Sequence, residues 1–148
     1  MSLSFFVPGI PISQGSKRAF VIRGKDGRHR PVLAESAKDL GEWRSRVALA
    51  ARQAMRGLFP SGDWWWKKEP LILTARFIFS RPPSLPKKRR EHVVRPDLSK
   101  CVRAIEDAMT GIVYGDDAQI VTLGVSKVYA KDGLTPGVEI EVQEAEQE

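Results

Sequence analysis

Three aspartates fall where irregular chain meets regular structure: Asp97 before a helical stretch, and the adjacent Asp116 and Asp117 after it. Carboxylates are hard oxygen ligands, and one or two of them, with substrate phosphate and water, usually suffice for magnesium. Such an ion activates water and stabilises a leaving oxygen, which is what cutting a phosphodiester requires. The surrounding residues would supply the phosphate binder. Between Arg81 and Arg103 stand eight lysines and arginines against two acids, including the run Lys87, Lys88, Arg89 and Arg90. That run leads into a helix start, which favours contact with a phosphate backbone. An acid inside so basic a stretch then has a purpose: it holds a cation against the phosphate that its neighbours attract. Each acid also has an ordinary reading. Aspartate is a favoured N-cap whose charge suits the helix dipole, and paired aspartates are common in turns.

The spacing sets a condition on the fold. A helix of about fourteen residues from Asp97 to Thr110 spans roughly 21 Å, so its ends cannot meet through the helix itself. The following chain must turn back, and antiparallel packing of strand on helix could return Asp117 toward Asp97. Leu98, Cys101, Val102, Ile105, Ala108 and Met109 form the apolar stripe of this helix, opposite Ser99, Arg103, Glu106 and Thr110. Cys101 therefore belongs to the core and should be inert. Gly111 ends the helix.

An earlier helix is expected from Ser36, with Asp39 completing a capping box. Leu40, Trp43, Val47, Ala50, Ala51 and Ala54 recur at helical spacing as far as a stop at Gly57. The stretches LSFFVPG, LILTARFIFS, IVTLGVSKVYA and GVEIEVQ read as strands, and AFVIRGKDGRHRPVL as a hairpin turning at Asp26-Gly27. RPPSLPKKRREHVVRP should be an exposed loop. Trp64, Trp65 and Trp66 sit in another loop, either covering the core edge or a subunit interface, or offering a surface to unstacked bases. Residues 1–143 make one domain, and residues 144–148 an acidic, fraying tail.

Composition narrows the partners. Residues 1–138 hold 24 basic residues against 13 acidic ones, a net +11, while five further acids crowd the last ten positions. A basic body with an acidic end suits a polyanion such as nucleic acid. One cysteine rules out an intrachain disulfide and a cysteine-built zinc site, and fits a reducing, cytoplasmic setting. His29 and His92 match no metal spacing and are expected as surface side chains. No apolar run approaches the ~18 residues of a membrane span, and no signal peptide is recognisable, so no membrane partner is expected.

The stretch RPDLSKCVRAIEDAMTGIVYGDDAQI, Arg95 to Ile120, resembles the signature of the RusA-like Holliday-junction resolvases: Pro-Asp-x-Asp-Asn, a lysine, Asp-Ala-Leu-x-Gly, then Asp-Asp-x-Gln. FFVPGIPISQGSKR is similar to that family's first strand and basic turn, and VSKVYA to its strand after the acidic pair. The resemblance implies an α+β fold, a small mixed β-sheet with two main helices, and a homodimeric, magnesium-dependent endonuclease. Manganese is a possible substitute, and two strands of branched DNA are nicked symmetrically. A two-fold pair of sites matches a junction with two equivalent strands. By position it implies Asp97, Asp117 and Asp116 as metal ligands and catalytic acids. Asp107 is read as structural. Lys17, Arg18, Lys87, Lys88, Arg89, Arg90, Arg95, Lys100 and Lys127 are expected to face DNA.

Three positions depart from the pattern. Ser99 stands for the second catalytic aspartate, Lys100 for asparagine and Arg103 for lysine. Serine removes one formal charge from the ion's shell, and arginine clamps a phosphate without being able to release a proton. Glu106 shares the polar face but lies seven residues, roughly 10 Å, beyond Ser99. Two other functions therefore stand beside the resolvase: a junction-binding module that has lost catalysis, and a basic single-strand or RNA-binding domain.

Overall fold

The computed structural model describes residues 1–15, 21–23, 29–31, 34–62, 65–131 and 133–146. In chain order the elements are β1 (Ser2–Pro8), β2 (Val21–Arg23), β3 (His29–Pro31), α1 (Ala34–Leu58), β4 (Leu71–Phe79), α2 (Leu98–Met109), a single 3-10 turn (Asp117–Gln119), β5 (Ile120–Tyr129) and β6 (Gly137–Glu144). The α+β expectation holds. A four-stranded mixed sheet runs β1-β6-β4-β5, with β4 and β5 parallel and the other pairs antiparallel. Parallel neighbours need a crossover, and α2 makes it. The short strands β2 and β3 pair antiparallel on their own, and the turn expected at Asp26-Gly27 lies outside the described residues.

Alternation along the strands decides which face is covered. Leu71, Leu73, Ala75, Phe77 and Phe79 of β4, with Val138, Ile140 and Val142 of β6, are buried beneath the helices. Thr74, Arg76 and Glu139 point to the open face, where Arg76 pairs with Glu139 at 3.2 Å. α2 presents Cys101, Val102, Ala104, Ile105, Ala108 and Met109 to the core, as its stripe requires. Burial raises the Cys101 thiol to about 11, so it stays protonated and unreactive.

α1 begins at Ala34 rather than Ser36, which places Ser36 inside the helix instead of at its cap. Trp66 is fully buried, and its indole N–H donates to Glu144 Oε1 at 2.7 Å; Trp65 is half-buried, and Trp64 lies outside the described residues. The core-edge reading therefore fits Trp66. β6 continues to Glu144, and the Ala145 N–H reaches Pro70 O at 2.8 Å.

His92 corrects an expectation. It is 7 % exposed, held between Phe79 and Tyr129 with ring centroids 4.7 and 4.6 Å away. The basic loop folds back there: Glu91 bridges to Val128 of β5 and draws the next side chain into the core edge. Arg81 shapes the loop above it, donating to the carbonyls of Arg89 and Pro86 at 2.6 Å each and lying over the Tyr129 ring. Among the described residues, no helix is long and apolar enough to cross a membrane.

Candidate functional site

The turn that carries Asp116 and Asp117 is locked by its own glutamine. Gln119 Oε1 accepts from the N–H groups of Gly115 and Asp116 at 2.9 Å each, and Nε2 donates to Trp66 O and Glu69 O at 3.1 Å each. Asp116 Oδ1 accepts from the Ala118 N–H at 2.9 Å and caps the 3-10 turn. Trp66 fixes the same segment from below, through Trp66 N to Val113 O at 3.0 Å and Gly115 N to Trp66 O at 3.1 Å. Gly111, at φ +84°, supplies the left-handed residue that takes the chain out of α2 toward this turn. Asp116 thus shapes the turn, and Asp117 is presented at the surface.

Asp117 meets α2 at its polar face. Its carboxyl is raised above the usual range, first by partial burial, then by hydrogen bonding to Asp116 and by the charges of Asp116 and Asp107; Arg103 opposes them. The Glu106 carboxyl is also raised, by burial first and then by Asp117 and Asp107, again opposed by Arg103. Four acids, Asp116, Asp117, Asp107 and Glu106, therefore share one patch with Arg103. A further contact comes from the segment after β1. The Gln14 side-chain amide donates to Asp107 Oδ2, and the Gln14 backbone N–H to Lys100 O at 3.0 Å. Gln14, Glu106 and Asp107 were not among the expected site residues. A helical wheel alone would have placed Glu106 and Asp107 beside Arg103; nothing in the sequence brings Gln14 there.

Asp97 occupies a second station, at the head of α2. Its backbone is extended as an N-cap's should be, but its side chain makes no capping hydrogen bond and instead pairs with Lys100 Nζ at 3.5 Å. Lys127 of β5 meets the chain here, donating to Val94 O at 2.5 Å and Pro96 O at 2.9 Å. This contact gives Lys127, expected to face DNA, a role in holding the loop. β5 runs antiparallel to α2: Lys127 lies by the helix start, while Asp117, before the strand, lies beside Arg103, Glu106 and Asp107. Ser99 is exposed on the first turn, between the two stations. Lys87, Lys88, Arg89, Arg90 and Arg95 are all exposed. Lys17 and Arg18 lie outside the described residues.

Among the described residues, no three histidine, cysteine, aspartate or glutamate side chains converge closely enough to hold a metal ion by themselves. The donors do suit a hard cation held partly by substrate. They are carboxylates, with Glu106 and Asp117 raised first by burial and then by neighbouring acids, and one arginine as counter-charge.

Comparison with known proteins agrees with this architecture. The family model described as Endodeoxyribonuclease RusA matches residues 8–143. The chain is also 28 % identical to the uncharacterized protein YqaN of Bacillus subtilis (strain 168), over 152 residues that take in 96 % of each chain.

Proposed function

The chain belongs to the Endodeoxyribonuclease RusA family, which at the family level means a Holliday-junction endonuclease, and we propose that it cuts four-way DNA junctions by paired, symmetric nicks, with magnesium as cofactor and as a homodimer. The observation that supports this most is the acid patch of Asp117, Asp107 and Glu106 around Arg103, on the helix into which an exposed basic loop leads. A passive DNA-binding surface gains nothing from mutually repelling carboxylates beside the phosphate path.

Asp117 and Asp116 would hold the ion together with the substrate phosphate. Glu106 and Asp107 offset the charge that Ser99 fails to supply. Magnesium bound there would supply a Lewis acid for the scissile phosphate and an activated water. The chain's own residues do the rest. Arg103 clamps the phosphate and remains charged throughout. Lys87, Lys88, Arg89, Arg90 and Arg95 hold the flanking backbone, and Gln119 and Gln14 fix Asp117 and Asp107 in place. A second protomer has a surface available on β5, an outer strand of the sheet, where Val121 and Leu123 are 60 % and 50 % exposed.

The test is a strand-labelled four-way junction incubated with the protein and Mg²⁺ or Mn²⁺, with cut positions mapped on all four strands. Paired nicks on opposing strands support the proposal. Junction binding without cleavage under either ion, and cleavage only after Ser99→Asp, would make the chain a binding module instead.

A further inference from the structure

A cleft of about 240 Å³ is lined by Arg52, Met55, Arg56 and Phe59 of α1 and its end, and by Gly62, Gly111 and Ile112. Arg52 and Arg56 are exposed one helical turn apart on the same face of α1. Among the described residues, neither has an ion-pair partner, and residues 43–58 contain four arginines and no acid. Below them Met55 is buried and Phe59 and Ile112 are half-buried, which gives the cleft an apolar floor. Gly111 and Ile112 belong to the turn that joins Asp107 on α2 to Asp116 and Asp117. The cleft therefore borders the chain segment that presents the acid patch.

We infer that this cleft is a second DNA-backbone subsite, in which Arg52 and Arg56 grip phosphates of the cut strand or its arm beyond the scissile position. The inference rests on the endonuclease reading above and names where the substrate runs past the acids. Two arginines at helical spacing present planar donors suited to phosphate oxygens. The apolar floor suits the sugar between them. At about 240 Å³ the space is smaller than the ~300 Å³ at which small-molecule clefts begin, so a backbone passing over it fits better than an enclosed ligand.

The test is anisotropy of a labelled four-way junction with Ca²⁺ in place of Mg²⁺, across about 50–200 mM salt. Compared are the native chain, Arg52→Gln, Arg56→Gln, the double Gln variant, the double Lys variant, and Arg76→Gln on the opposite sheet face as control. Each phosphate contact contributes about 0.9 to the log–log salt slope. Each single Gln variant should flatten the slope by about 1 and the double by about 2, with about tenfold weaker binding at low salt. The Lys pair and Arg76→Gln should keep the native slope. A double Gln variant that binds and titrates like the native chain overturns this subsite while leaving the endonuclease reading intact. A native chain that fails to bind junctions at all overturns both.

Discussion

Asp117 stands ten residues beyond Asp107 of α2, in the turn that follows, and its carboxyl is raised first by partial burial, then by Asp116, with the Asp107 charge adding to these. Like charges held close with one arginine opposing them leave an unmet demand for positive charge, and a substrate-borne cation would meet it. Replacing Asp107 by Asn removes one of the charges that raise Asp117. Its carboxyl should then ionise at lower pH, and the acid limb of the rate profile for junction cleavage should shift to lower pH. A residue that only supports the fold would lower the rate without moving that limb.

Glu106 carries the same strain as a stability term. Its carboxyl is raised in the folded chain, chiefly by burial, so the folded state binds a proton more readily than the unfolded state does. Stability is therefore greatest below the unfolded value, and falls as pH rises through the window up to the folded one. Glu106→Gln should melt higher than the native chain at pH 7 and lose that advantage below about pH 4. Thermal melts at the two pH values check this.

His92 acts in the opposite sense. Burial, and then the charge of Lys127, hold its imidazole below the usual histidine range, so the folded state resists the proton that the unfolded state accepts. Stability should be complete above about pH 6.5 and fall as pH drops from there toward the folded value. His92→Phe keeps the aromatic packing against Phe79 and Tyr129 and should flatten that part of the stability curve. Urea midpoints across this range are the measurement.

Gln119→Ala removes four hydrogen bonds that tie the acidic turn to itself and to Trp66 and Glu69. The cost should be about 2–4 kcal/mol of unfolding free energy. Cleavage should fall by more than stability alone explains when both are measured well below the melting temperature, because Asp117 loses its fixed presentation.

Both helices could be read from the chain because each buries one stripe, and the α2 stripe put Cys101 and Ile105 in the core as expected. Strand order could not: placing β6 between β1 and β4 depends on long-range pairing that alternation does not encode. The surroundings of Asp117 were half legible. The Asp116–Asp117 pair stands out by its spacing, but its closest acidic company on α2, Asp107 and Glu106, follows from how the turn packs back on the helix. Gln14 and the Arg52–Arg56 cleft join segments far apart in sequence, so local pattern carries no sign of them. His92 was misread because its neighbours are charged, while its own ring is drawn inward by the bridge at Glu91.

The decisive measurement is single-turnover cleavage of a four-way junction in Mg²⁺ by the native chain and by Asp117→Asn, with junction affinity determined for both. The variant should bind within about threefold of the native chain and cut at least about 100-fold more slowly. Equal cutting rates for the two proteins, or no cutting by the native chain under conditions where it binds, would show that the acid patch does not perform the reaction.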